Sequence, residues 1–297
     1  MTHITIIGKT GQLARALIRE GKVSGVEVHS LDRAACDLSW SPAKIESLID
    51  SLPETDAIII AAAYTAVDKA ETEQNTALAV NAQAPGAIGR AAKKRKTPVV
   101  HISTDYVFAG ESDAPYRPEE ELSPINFYGL SKAKGETALM TAQPQSTILR
   151  TSWVYDGTGK NFLTTMLRLA QTRTELNVVC DQIGRPTFAG DLAKASFRAA
   201  KAIIDNQEGA TGIFHVSNTG DPISWADFAS EIFDISADSI GHKVTVSPIP
   251  SVDYPTPAKR PAWSVLDVSK FENRFDCKLP HWQDGLNRAI LERNMEA

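Results

Sequence analysis

The chain has 297 residues, 42% of them hydrophobic, with 31 basic and 36 acidic side chains and a net charge of −5. This length suggests roughly two domains or one large one, and the apolar content excludes disordered, collagenous and low-complexity classes. Mixed charges give no field toward nucleic acid, no apolar run nears the roughly 18 residues of a membrane helix, and three scattered cysteines without metal spacing fit a reducing compartment.

The chain opens on Met1-Thr2-His3 and runs straight into an apolar strand, without a signal peptide's layout, so a soluble cytoplasmic protein is expected. Near-continuous apolar runs predict strands over Ile4–Ile7, Val26–Leu31, Ala57–Ala61, Val99–Ile102 and Thr147–Leu149. Helical patterns separate them over Gln12–Glu20, Pro42–Leu52, Thr76–Lys96 and Phe127–Thr141. This alternation implies βαβ units, and hence an α/β protein with a Rossmann-type doubly wound parallel sheet. The basic run Lys93-Lys94-Arg95-Lys96 reads as the last turn of a helix, where cations suit the dipole.

After Tyr155 the texture changes. Helices are expected over Phe162–Gln171, Asp191–Ile204, Trp225–Phe233 and Trp282–Glu292, with short strands over Asn177–Val179, Gly212–Val216 and Lys243–Ser247. Pro248 to Pro261 carries five prolines and is expected to be irregular. The expected division is a dinucleotide-binding domain over 1–152 and a smaller C-terminal α/β substrate-binding domain over 153–297, with some later segments returning to the first sheet.

Gly8-Lys9-Thr10-Gly11-Gln12-Leu13-Ala14 joins the first strand to the first helix. Glycines there permit a tight turn and close approach to a pyrophosphate, and the helix N-terminus supplies free N–H donors. Asp32, 21 residues after Gly11, is placed to bond an adenosine ribose, while its neighbour Arg33 suits a 2′-phosphate. Asp37, followed by Leu38, offers a carboxylate to an adenine amino group. Ala61-Ala62-Ala63-Tyr64-Thr65 ends the third strand with small residues that allow close packing against a nucleotide.

Tyr128 and Lys132 stand four apart on a predicted helix and therefore share a face. An ammonium beside a phenol is expected to lower its pKa. Upstream, His101-Ile102-Ser103-Thr104-Asp105-Tyr106 ends a strand at the ligand-binding edge of the sheet, where Thr104 can donate to a substrate carbonyl.

At these residues the chain resembles the extended short-chain dehydrogenase/reductases, and within them closely the dTDP-4-dehydrorhamnose reductase family. The matching runs include Gly8–Leu13, Thr65–Glu71, Ser103–Phe108, Tyr128-Gly129 with Lys132, Arg150–Tyr155, Asp181-Gln182 and Tyr254–Pro261, in order along nearly the whole chain. The resemblance implies Tyr128 as proton donor, Lys132 as its electrostatic partner and ribose ligand, and Thr104 as carbonyl donor. It places Gly11, Gln12, Leu13, Asp32, Asp37, Leu38, Ala63, Tyr64, Thr65 and Ile102 around NADPH, with NADH also accepted. Thr104, Asp105 and Trp153 would touch a sugar, and Arg185, Lys259 and Arg260 are candidates for its diphosphate. The implied reaction is reduction of the C4 ketone of dTDP-4-dehydro-L-rhamnose to dTDP-L-rhamnose, a precursor of cell-surface polysaccharide. A ketoreductase for another deoxysugar, an epimerase, and a non-catalytic subunit like the regulatory subunit of methionine adenosyltransferase remain alternatives. Some family members hold Mg²⁺ at a subunit contact through acidic residues. Arg15 and Gly190 stand at those places here, although Asp191 is adjacent, so no Mg²⁺ is expected there and a monomer or weak homodimer is expected.

Overall fold

The computed structural model describes residues 1–296. In chain order the first half comprises β1 (His3–Ile7), α1 (Gln12–Val23), β2 (Glu27–Leu31), α2 (Pro42–Asp50), β3 (Ala57–Ile60), α3 (Val67–Ala70), α4 (Gln74–Leu78), α5 (Ala84–Arg95), β4 (Val99–Thr104), α6 (Phe127–Ala142) and β5 (Ser146–Thr151). The second half comprises β6 (Val154–Tyr155), α7 (Phe162–Ala170), β7 (Glu175–Val179), β8 (Ile183–Gly184), β9 (Thr187–Phe188), α8 (Ala189–Ile204), β10 (Gly212–His215), β11 (Ile223–Ser224), α9 (Trp225–Ile235), α10 (Ala237–Ile240), β12 (Thr245–Ile249), α11 (Ser269–Phe275) and α12 (Trp282–Glu296).

Six parallel strands form the central sheet in the order β10-β5-β4-β3-β1-β2. The interior strands β3, β4 and β5 are almost wholly buried, as apolar runs covered on both faces must be. The edge strand β2 instead alternates exposed and partly buried residues. On one face Leu13, Leu17, Leu192 and Phe275 pack α1, α8 and α11 against Ile4, Ile6 and Phe214. On the other, Ile45, Ile49, Ile88 and Leu139 pack α2, α5 and α6 against Ile7, Ile58 and Ile148. The strand order reverses between β1 and β3, and a crevice opens beyond their carboxyl ends at such a switch point.

Segments from the second half return to this sheet: β10 pairs with β5, and α8 lies against α1. The remaining elements gather a separate apolar cluster, in which Leu163, Met166, Phe228, Ile232, Trp282 and Leu286 join α7, α9 and α12.

The expected single helix over Thr76–Lys96 is interrupted by a π-helical turn at Ala79–Gln83. Pro85 has no N–H to give the Asn81 carbonyl four residues earlier, so the regular ladder cannot run through. The Pro-rich segment is also more ordered than expected. Pro248 lies within β12, which pairs with β7 alone and can therefore turn a residue lacking an N–H away from its partner. A short 3₁₀ turn follows at Ser251–Asp253.

Helix α6 is held by an interior ion pair. Arg150 of β5 is 1% exposed and Glu136 of α6 is 2% exposed; their Nη2–Oε2 distance is 2.6 Å, and Nε donates to Oε1 at 2.9 Å. Arg150 Nη1 also donates to the Pro118 carbonyl at 3.0 Å. Gly135 faces Asn81 so closely that a Cβ would collide with the Asn81 carbonyl oxygen. Removing one partner of a buried pair strands a charge in low dielectric, so Glu136→Ala is expected to lower unfolding stability by about 3–5 kcal/mol. Urea denaturation measures this, and a loss under about 1 kcal/mol would contradict the assigned role.

Candidate active site

A cleft of about 920 Å³ lies over the switch point. Its floor is the turn after β1. Gly8 has φ +127°, a conformation open mainly to glycine, and a Cβ there would meet the Ala14 methyl and the Ala62 nitrogen at 3.4 Å. Gly11 precedes α1 in extended conformation and makes no side-chain cap. The first N–H groups of α1, at Gln12 and Leu13, therefore keep their donor capacity and the positive end of the helix dipole at the cleft.

Asp32, Arg33, Asp37 and Leu38 line the same cleft. Asp32 accepts from the Ala35 amide at 3.0 Å and so caps its own turn. Asp37 is not the free acceptor expected of it. It takes the Ser39 amide at 2.9 Å and the Ser39 hydroxyl at 2.7 Å, and these bonds, with Arg33, hold its carboxyl below the usual range. Arg33 Nε lies 3.1 Å from Asp37, while its side chain is 83% exposed. The cation available for a 2′-phosphate is thus tethered by the carboxylate that had been assigned to adenine. Ala63, Tyr64 and Thr65 form the opposite wall. Asn81, from the π-helical turn, holds both the amide and the carbonyl of Tyr64, at 2.8 and 3.0 Å.

Tyr128 and Lys132 reach the inner end from α6, whose first turn is capped by Asn126 accepting from the Gly129 amide at 2.8 Å. Thr104 and Asp105 reach it from the end of β4, and Ile102 lines the approach. Burial raises the Tyr128 phenol to about 12, with the Thr104 hydroxyl bond pulling it the other way. The expected lowering by Lys132 is absent. That ammonium instead donates to the Ile102 carbonyl at 2.7 Å and lies 3.2 Å from His101 Nε2. Burial brings Lys132 down to about 8, countered by Glu136. A phenol this weakly acidic is fully protonated at neutral pH, the form a proton donor requires. Burial likewise pushes Asp105 up to about 6, against the hydroxyls of Ser264 and Thr104; its Oδ1 accepts from Thr104 at 2.9 Å.

Trp153 lines the outer part of the cleft at φ +49°, a left-handed conformation that costs a bulky residue about 1–3 kcal/mol. Its ring is stacked on Trp225 with centroids 3.4 Å apart and planes 6° off parallel. One face is therefore covered by protein. Arg185, Lys259 and Arg260 do not line this cleft. Arg260 pairs with Asp68 at 2.8 Å, Lys259 with Glu111 at 3.6 Å, and Arg185 donates to the Leu266 carbonyl at 3.3 Å.

A family model described as the RmlD substrate binding domain matches residues 1–295. The dTDP-4-dehydrorhamnose reductase of Sinorhizobium fredii is 43% identical over 97% of this chain and 96% of its own. That of Salmonella typhimurium is 40% identical over 98% and 97%. The chain belongs to the dTDP-4-dehydrorhamnose reductase family. The crystal structure of the Clostridium acetobutylicum member superimposes with a TM-score of 0.90 at 35% identity, covering 99% of this chain and 100% of that one. The Bacillus anthracis member, solved in complex with NADP, gives a TM-score of 0.89 at 33% identity, covering 98% and 100%.

Residues not singled out from the sequence also line the cleft, among them Thr158, Gly159 and Lys160. They sit on a strap tied to the phosphate turn. Gln12 Nε2 donates to the Val154 carbonyl at 2.8 Å, and Arg15 Nη2 lies 2.5 Å from the buried Asp156. Asp156 in turn accepts from the Gly159 amide at 2.6 Å. No spacing rule connects positions 141 to 143 residues apart in sequence, so this wall had no sequence signal. The Asn126 cap, by contrast, was readable as a cap residue just before a helical pattern.

The Mg²⁺ contact that the resemblance implies for some members does not fit the residues present. Arg15 carries a fixed positive charge and is committed to Asp156. Asp191 is 1% exposed and held by Arg288 at 2.6 and 2.8 Å and by Asn218 at 2.7 Å. Among the described residues no cluster of three or more His, Cys, Asp or Glu side chains could hold a metal. A Mg²⁺ site needs exposed hard oxygen donors, so the molar mass after EDTA dialysis is expected to be unchanged when Mg²⁺ is restored. Light scattering tests this, and a Mg²⁺-dependent dimer would contradict it.

Proposed function

We propose that this chain reduces the C4 ketone of dTDP-4-dehydro-L-rhamnose to dTDP-L-rhamnose, using NADPH and, less well, NADH. The observation that carries the reading is the meeting of half-buried Tyr128 with buried Lys132 and Thr104 at the inner end of a cleft floored by a glycine turn and an uncapped helix N-terminus. The relatives' shared activity, at about 40% identity over nearly full length, supports the same chemistry.

The turn from Gly8 to Leu13, with Lys132, would hold a dihydronicotinamide dinucleotide in the cleft, and that group would supply the hydride for the sugar's C4 carbon. Tyr128 gives its phenolic proton to the carbonyl oxygen as negative charge develops there. The Thr104 hydroxyl, once it exchanges its present bond to Asp105 for the substrate, donates to the same oxygen and orients it. The Lys132 ammonium stabilises the phenolate that Tyr128 becomes and bonds the cofactor ribose. Asp105 and the part of Trp153 that lines the cleft, between Trp225 and Gly184, bound the deoxysugar. Arg185 and Arg260 serve the diphosphate only if their present carbonyl and carboxylate partners are exchanged for it. The assignment of residues 1–152 to dinucleotide and 153–297 mainly to sugar nucleotide belongs to this reading, as does a monomer or weak homodimer. Three free cysteines support a cytoplasmic location, and no described helix is long and apolar enough to cross a membrane.

The direct test makes the ketosugar enzymatically, adds NADPH, follows the loss of its absorbance and identifies the product by NMR. Net consumption with a rhamnose product is expected. No consumption would favour a non-catalytic role, and a different product another ketosugar. Tyr128→Phe is expected to lower kcat by about 10²–10⁴-fold with little change in NADPH affinity; near-normal turnover would remove Tyr128 from its role. Because Lys132 loses its charge as pH rises through about 8, kcat/KM should fall above that pH, and the limb should be missing in Lys132→Met. Arg33→Ala should weaken NADPH more than NADH, since only the former carries the 2′-phosphate that Arg33 can pair with. Equal losses for the two cofactors would show that Arg33 does not read it.

A further inference from the structure

His101 is the buried side chain at the catalytic centre for which the mechanism above has no use. It sits in β4, 1% exposed, and its Nε2 lies 3.2 Å from Lys132 Nζ. An ammonium has three donors and no lone pair, so this contact is a hydrogen bond only if Nε2 is the unprotonated nitrogen. The ring proton must then reside on Nδ1, which is buried and has no partner. A buried unpaired donor is unfavourable, and an apolar side chain of similar volume would avoid it. What the imidazole offers that an apolar side chain lacks is the Nε2 lone pair.

We infer that His101 is the positioning residue for Lys132: its Nε2 accepts one ammonium proton, the Ile102 carbonyl takes a second, and the third is left for a ligand in the cleft. Two fixed acceptors on β4 thereby set the height and direction of a flexible four-carbon side chain that α6 alone could not orient. Neither acceptor is charged. A carboxylate in place of His101 would draw the ammonium inward and hold it there, whereas a neutral nitrogen leaves the charge available to phenolate and ribose. His101 stays neutral because burial and the adjacent Lys132 charge both press its pKa well below the ordinary value. The nearest acid on α6, Glu136, is held by Arg150.

This inference rests on the reductase reading for its kinetic arm but not for its spectroscopic one. In protein labelled with ¹⁵N-histidine, long-range ¹H–¹⁵N NMR, with His101→Gln for assignment, should show His101 as the Nδ1–H tautomer, not titrating between pH 5 and 8. An Nε2–H tautomer, or titration near the usual histidine range, would overturn the proposal. NADPH affinity by fluorescence titration and kcat are then compared in two variants. His101→Leu should lose roughly 10- to 100-fold in kcat, the worth of one hydrogen bond to a charged group, and should bind NADPH more weakly. His101→Gln, whose amide oxygen can still accept, should recover most of both. Equal behaviour of Leu and Gln, whether both active or both impaired, would mean that the residue only fills space. Should His101→Leu fail to fold, the glutamine variant and the tautomer still decide. Failure of the parent protein to bind NADPH would sink the reductase reading, while the tautomer result would continue to report on the His101–Lys132 bond.

Discussion

Arg150 and Glu136 form an ion pair inside the protein, and the placement of the reactive groups depends on it. The pair ties β5 to the middle of α6, the helix that carries Tyr128 and Lys132. Taking two charges out of water is expensive, and it is tolerated when the geometry is close and the remaining donors are satisfied, as here by the Pro118 carbonyl. Around this anchor Gly135 lets the helix lie directly on the Asn81 carbonyl, which Pro85 leaves without its usual helical donor. The Asn81 side chain bridges to Tyr64 and to Ser131, so one π-helical turn connects the nucleotide wall to the catalytic helix. A shift of α6 by one ångström would disturb all these contacts together.

A second tie sets the other side of the cleft. Arg15 and Gln12, at the start of α1, hold Asp156 and Val154 in the chain beyond β5. The phosphate turn and the strap over residues 156–160 thus form one hydrogen-bonded unit. The guanidinium of Arg15 balances the buried Asp156 within the chain itself, and Arg288 does the same for Asp191. Arg15, and Asp191 beside Gly190, are thus each paired within the chain.

The sheet and its helices were readable because local patterns and tertiary structure agree there. Apolar runs such as Ile58 to Ile60 are long enough to identify buried parallel strands, and Pro42 marks a helix start. Where they disagreed the sequence misled. The periodicity of Thr76–Lys96 looks continuous, yet Pro85 forces a wider turn. The prolines near 250 suggested only loop, although an edge strand accommodates Pro248. In the site, Tyr128 and Lys132 were visible through helical spacing, but the direction of the phenol's pKa was not, since it depends on burial and on where the lysine points.

The sequence by itself determined the alternation of strands and helices, the glycine turn after the first strand, and a tyrosine and a lysine on one helical face. These follow from periodicity and backbone sterics, which act over a few residues. Only the tertiary structure decided what each charged group faces. Arg33 turned to Asp37, Arg260 to Asp68, Arg15 to Asp156 and Lys132 to His101. The physical reason is that Coulomb and hydrogen-bond energies depend on distance and burial, and folding sets both by bringing together residues that are, in most of these pairs, far apart in the chain.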